Sequence, residues 1–150
     1  MNFDQRCTIP VDRERLWDFF MDVPAVGECV PGVTKIQRVA ENRYQGALSV
    51  KLGLVNLSFD VQVTLDLQEK GGWRAAMRAE ANDRWVGGSV KAAFKMQLQE
   101  GMSGATDLVI GTELNVLGRL GQFGQPLIRK KADSILEEFA ANVQRRFSSA

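Results

Sequence analysis

The feature that most constrains this chain is an almost unbroken alternation of apolar and polar residues from Tyr44 to Val116, followed by one long amphipathic helix. Alternation with a period of two predicts strands that are apolar on one face. The pattern over 127–147 instead repeats at helical spacing and is rich in phenylalanine. Because both faces must be buried, the sheet is expected to wrap around the helix.

The remaining segments complete an α+β prediction. A first strand is expected to end at Pro10, with Asp12 as the N-cap of the first of two short helices. Gly71-Gly72 and Asn82-Asp83 are expected to turn the chain between strands. The prediction is a single helix-grip domain over 1–150, in which a curved antiparallel sheet of about seven strands surrounds the C-terminal helix.

Composition excludes several classes of function. The net charge of +1 gives no field that would attract nucleic acid. Cys7 and Cys29 have no metal-binding spacing, and nothing in the sequence suggests a disulfide framework. The N-terminal residues lack a signal-peptide pattern, and no apolar run approaches the roughly 20 residues of a membrane span, so we expect a cytoplasmic protein.

The sequence offers few candidate catalytic side chains, because it contains no histidine. Cys29 would need another base, and the alternative is a structural cysteine. The strand carboxylates lie on polar phases, where solvated side chains are expected. The glycines at 118, 121 and 124 do not match a phosphate-binding loop. We therefore predict no catalytic residue, no metal site and no cofactor.

The inward face of the predicted sheet can be interpreted in two ways. Several of its residues are small, and they either let the helix approach closely or leave a void between sheet and helix. These residues are Gly46, Ala75, Ala79, Ala81 and Ala92. A void lined by methionine and aromatic side chains suits an apolar ligand, although the same residues suit an ordinary core. If a cavity forms, its predicted ligand-binding lining is Phe59, Met77, Ala92, Phe94, Met96, Ile110, Phe123 and Leu127.

The segment before the last helix has two interpretations as well. Gly118, Gly121 and Gly124 lower the cost of local rearrangement and could form a gate over the cavity. In that case Phe123 would move between the cavity entrance and solvent. The alternative is a rigid turn in which Phe123 stays buried.

Three stretches together resemble a known family. They are Glu28-Cys29-Val30-Pro31-Gly32-Val33, then Tyr44-Gln45-Gly46 with Lys51-Leu52-Gly53, and Gly118-Arg119-Leu120-Gly121-Gln122-Phe123-Gly124. The chain is similar to the CoxG family of carbon monoxide dehydrogenase subunits, within the START-like, polyketide-cyclase-like (SRPBCC) superfamily. The resemblance implies an internal hydrophobic cavity and an accessory role for molybdenum hydroxylases. It also implies membrane association and a lipophilic electron carrier such as a quinone.

The leading hypothesis is a non-enzymatic accessory protein that binds an apolar small molecule such as a lipid or quinone. The resemblance implies partnership with molybdenum hydroxylase subunits and transient contact with the inner membrane face. An enzyme of the cyclase or dehydratase type is the alternative, with Thr112 and Tyr44 as the inward polar groups. A third hypothesis is an interaction module whose core is filled. Ile110 stands where family members often place an aromatic residue, so the ligand's identity is left open.

Overall fold

A curved antiparallel sheet of seven strands packs around the C-terminal helix in the computed structural model, which describes residues 1–148. The strand order is β1-β7-β6-β5-β4-β3-β2. The predicted helix-grip fold is confirmed. The strands are β1 (Asn2–Ile9), β2 (Val33–Ala40), β3 (Arg43–Leu52), β4 (Val55–Glu69), β5 (Arg74–Asp83), β6 (Gly88–Glu100) and β7 (Thr106–Leu117), and the helices are α1 (Arg13–Met21), α2 (Val23–Glu28) and α3 (Gln125–Ser148).

Each helix begins where the sequence chemistry favours a start. Asp12 caps α1, since its carboxylate accepts a hydrogen bond of 3.2 Å from the Arg15 N–H. Asp22 caps α2 in the same way. Pro126 is the second residue of α3, where its missing N–H costs no helical hydrogen bond.

The main core lies at the end of the sheet where β1 finishes and β7 begins. Ile9, Leu98 and Leu108 are almost completely buried there. The second half of α3 packs on them through Phe139 and Val143. This half of the helix therefore closes tightly on the sheet, and it leaves the first half of α3 to cover the rest of the concave face.

Two predicted turns differ from expectation. A short 3₁₀ segment, Lys70–Gly72, replaces a simple two-glycine hairpin, and Trp73 follows it with φ of 56°. The second turn comes after Asp83 rather than at it. The Asp83 carboxylate is buried and accepts hydrogen bonds from the backbone N–H groups of Ser58, Trp85 and Val86, so it organises the turn that follows.

Within residues 1–148, no helix combines the length and the apolar character that crossing a membrane requires.

Candidate ligand cavity

A cavity of about 280 Å³ lies between the concave face of the sheet and the first half of α3. Strands β2 to β7 form most of its wall, and α2 and α3 cover it. Thr112 and Lys131 are the two polar residues among the described residues that line it. All the others are apolar, so the cavity is suited to holding an apolar molecule away from water.

Half of the predicted lining residues lie on this wall. Phe59, Met77, Ala92 and Phe94 all contribute to it. Met77 and Phe94 are directly opposite each other on β5 and β6. Their side chains share one face of the sheet because they are paired across neighbouring antiparallel strands.

The other four predicted residues lie elsewhere. Met96 and Ile110 are paired across β6 and β7 and belong to the main core, where the second half of α3 leaves no gap. Phe123 packs beside a second cluster that includes Leu120. Leu127 is 37% exposed at the start of α3. The expectation that these four residues line the cavity does not match the structure.

The small inward residues act in different ways. Ala79, Ala81 and Ala92 line the cavity, so their short side chains do leave space. Ala75 is instead buried in the main core. At Gly46 an added Cβ would lie 2.1 Å from the Lys35 carbonyl oxygen, so this glycine permits close approach of β2 and β3.

Several lining residues were not predicted as site residues. Val23, Val26 and Val30 reach the cavity from α2 and the turn after it, and Leu120 does so from the segment before α3. The apolar residues around Pro24 were a signal for a short buried helix, but no sequence pattern indicated which surface that helix would cover. Leu120 is only 2% exposed and is the most buried residue of its segment.

Thr112 carries the one inward hydroxyl on the wall, as far as the described residues show. Its side chain is buried, and its Oγ1 has no hydrogen-bond partner among residues 1–148. Tyr44, the other predicted polar candidate, is half-buried and does not line the cavity. The Lys131 side chain is partly exposed at the cavity wall and makes no salt bridge within the described part of the chain.

The two cysteines do not line the cavity, and the pKa shift of each thiol has a structural cause. Burial raises the pKa of the Cys7 thiol, and the Asp107 carboxylate raises it further. Burial also raises the pKa of Cys29, although nearby Arg146 opposes that effect. Among residues 1–148, no three histidine, cysteine or acidic side chains converge as metal ligands.

The predicted gate glycines, Gly118, Gly121 and Gly124, lie in or directly after a 3₁₀ segment, Gly118–Phe123, that connects β7 to α3. Gly118 and Gly124 have positive φ angles of 74° and 88°, a backbone region that favours glycine. Gly121 does not, and an added Cβ there would meet no atom within 4 Å. Leu120 fixes the middle of the segment in the second cluster, so any opening must move this side chain.

Solved structures show the same fold. A conserved protein from Geobacillus kaustophilus is 17% identical with a TM-score of 0.86, over 99% of this chain and 95% of that one. A START superfamily protein from Mycobacterium smegmatis is 11% identical with a TM-score of 0.69, covering 97% and 96%. The Zhui aromatase/cyclase from Streptomyces sp. R1128 is 14% identical with a TM-score of 0.62, covering 97% and 89%.

At these identities the structural likeness establishes the fold and nothing about activity. A comparison with curated proteins finds no match. The family model for CoxG, a subunit of carbon monoxide dehydrogenase, matches residues 6–148, which is nearly the whole chain. The resemblance seen in the sequence is thereby confirmed, and the chain belongs to the CoxG family of carbon monoxide dehydrogenase subunits.

Proposed function

We propose that this protein is a non-enzymatic carrier that holds an apolar small molecule, of lipid or quinone type, between its sheet and α3. The observation that supports this proposal best is the cavity itself. Its volume of about 280 Å³ is close to the lower end of ordinary small-molecule sites, roughly 300–1,000 Å³. A void of this size with an almost wholly apolar wall favours an apolar occupant over water.

The ligand contacts that we propose are those predicted residues that lie on the wall. Phe59 and Phe94 offer aromatic faces, and Met77 adds an unbranched side chain that adapts to irregular shapes. Ala92 supplies the space that a larger side chain would fill. We propose that Gly118, Gly121 and Gly124 form the gate, because the Gly118–Phe123 segment, which Gly124 follows directly, covers one side of the cavity through Leu120.

Membership of the CoxG family supports an accessory role. We infer that the protein serves a molybdenum hydroxylase such as carbon monoxide dehydrogenase. In this role it would bring a lipophilic molecule to or from the enzyme. Because such a molecule resides in a bilayer, we assign the carrier a peripheral position at the inner membrane face.

A cyclase or dehydratase is the second candidate function. Thr112 favours it, because an unpartnered hydroxyl on a cavity wall could orient a polar substrate group. Lys131 is the ionisable residue among the described wall residues. Within residues 1–148, neither residue has a neighbouring carboxylate or histidine on the wall to act as its partner in proton transfer. The carrier therefore accounts for more of the observed site.

Native mass spectrometry of protein purified without detergent tests the carrier. We expect a retained lipophile whose mass disappears after organic extraction, together with uptake of an apolar fluorescent dye by the extracted protein. A mass that matches the bare chain, combined with no dye uptake, would contradict the proposal. Size-exclusion chromatography with purified carbon monoxide dehydrogenase tests the accessory role separately, since co-elution is expected only if the two proteins bind.

A further inference from the structure

Three segments meet at one end of the sheet, and we call them together the loop rim: residues 51–57, 84–90 and 117–132. Sheet register places the β3–β4 turn, the β5–β6 turn and the end of β7 at this end. A Cβ added at Gly53 would lie 3.8 Å from Leu127, and one at Gly88 would lie 3.1 Å from Leu120. The three segments are therefore contiguous. Their inward apolar residues belong to the cavity wall: Leu52, Leu57, Val90, Leu120, Ile128 and Ala132.

The outward residues of the loop rim include large apolar side chains that nothing in the described structure covers. Leu54 at the tip of the β3–β4 turn is 98% exposed, and Trp85 in the β5–β6 turn is 83% exposed. Leu117 and Leu127 are exposed to 46% and 37%. Large side chains at the tips of turns contribute nothing to the core, so the fold alone does not explain them.

Basic and acidic residues are distributed unevenly between the loop rim and the rest of the chain. It contains six basic residues and no acidic one, whereas the remainder of the chain has thirteen basic and eighteen acidic residues. Arg84 pairs with Asp60, but the other five cations make no salt bridge within residues 1–148. The basic residues are Lys51, Arg84, Arg119, Arg129, Lys130 and Lys131. A chain of net charge +1 thus has a distinctly positive end.

We propose that the loop rim docks on a bilayer containing anionic phospholipids. Leu54 and Trp85 insert at headgroup depth, where an indole ring finds both an apolar and a polar environment. The cations face the lipid phosphates and add to binding. The docking proposal rests on exposure and charge alone. Transfer of the ligand through this end of the protein rests in addition on the proposed carrier function, and it specifies where the carrier would exchange its ligand.

The charge pattern favours a lipid surface over a protein partner. Protein surfaces mix charges of both signs, so a complementary patch on this chain would be expected to include carboxylates. A surface of anionic headgroups requires only cations around an apolar centre. Met102 is also a strongly exposed apolar residue, at 86%, but it lies at the opposite end of the sheet and close to an acidic residue, Glu100. Met102 supplies a matched control.

Flotation with vesicles of phosphatidylcholine plus phosphatidylglycerol tests the docking. We expect binding to these vesicles, weaker binding to phosphatidylcholine alone, and loss in about 1 M salt, where the Debye length is about 3 Å. The double variant Leu54→Ser, Trp85→Ser should lose most of the binding, and Met102→Ser should keep it. Arg119→Gln and Lys130→Gln should each weaken binding by about fivefold.

Tryptophan emission reports which end of the protein binds. Trp17 is buried in the main core and packs edge-on against Trp73 near the other end, so a blue shift on adding vesicles should come from Trp85 and vanish in Trp85→Ser. Dye uptake by the cavity should be unchanged in the double variant, in Met102→Ser and in Lys130→Gln, because these residues neither line the cavity nor lie in the proposed gate.

The docking proposal is overturned if anionic vesicles are not bound, or if the loop-rim and Met102 variants bind equally. It is also overturned if the double variant changes only self-association in analytical ultracentrifugation or only binding to the hydroxylase. Failure of dye uptake with intact vesicle binding would contradict the carrier function and leave the docking face standing.

Discussion

Ala79 and Ala92 lie directly opposite each other on β5 and β6, and both line the cavity. Two methyl groups in register reach a short distance from the sheet, so α3 spans a gap above them. Phe94 and Met77 form the next inward pair toward the main core and narrow that gap with larger side chains. The cavity therefore depends on a local pair of small residues within an otherwise bulky apolar face.

Replacing Ala92 with phenylalanine should fill the cavity. We expect Ala92→Phe to abolish uptake of an apolar fluorescent dye while the protein remains folded, because the ring enters existing space. Dye titration and thermal unfolding measure the two effects. Ala93→Phe is the matched control, since Ala93 is exposed on the opposite face of the same strand and should leave uptake unchanged. Loss of stability by about 1–3 kcal/mol in Ala92→Phe would instead indicate a site that was already filled.

Two buried threonines should respond in opposite directions to replacement by valine. Thr112 has an unpartnered hydroxyl, so Thr112→Val removes an unsatisfied polar group and should raise the free energy of unfolding by about 1 kcal/mol. Thr106 donates a 2.7 Å hydrogen bond to the Val11 carbonyl, so Thr106→Val should lower it by about 1–3 kcal/mol. Urea unfolding of both variants measures the pair. Equal destabilisation would show that Thr112 also has a partner in solution.

The gate is tested best at Gly121, where alanine meets no neighbour and no positive φ is required. Alanine narrows the backbone freedom of the Gly118–Phe123 segment, so Gly121→Ala should slow dye entry and exit with little change in affinity. Stopped-flow fluorescence measures both rates. Gly71→Ala is the control, because Gly71 is equally open but lies in the turn between β4 and β5. Identical rates in both variants would leave a cavity without a gate.

Both cysteines should react slowly with alkylating reagents while the protein is folded. Burial is the main cause that raises the pKa of Cys7 and of Cys29, so less thiolate is present at a given pH than in a free cysteine. Near pH 8, just below the ordinary thiol pKa of about 8.5, iodoacetamide should modify them far more slowly than it does in urea. The rate should rise with pH. Mass spectrometry follows the alkylation. Rapid modification of the folded protein near neutral pH would contradict the prediction.

A further prediction concerns metals. The sequence contains no histidine, and the described residues bring together no metal-ligating group. We therefore expect elemental analysis of the purified protein to find no stoichiometric zinc or iron. One tightly bound equivalent that survives dialysis against a chelator would contradict this prediction.

Local sequence patterns were sufficient to predict the elements. The alternation between Leu57 and Leu67 specifies a strand that is apolar on one face, and Asp12 and Pro126 specify where helices start. These signals act over a few residues and do not depend on what the element packs against. The seven-strand sheet around a terminal helix followed from them, because few arrangements bury every apolar face.

Which inward residues form a core and which form a cavity was decided only by the tertiary structure. Phe94 and Met96 are two residues apart on the same face of β6, yet Phe94 lines the cavity and Met96 is buried in the core. The sequence determined that both point inward, through strand periodicity. The distance between α3 and the sheet then determines the outcome. That distance is set by packing along the whole length of the helix, with Val143 in full contact and Ile128 held over a gap.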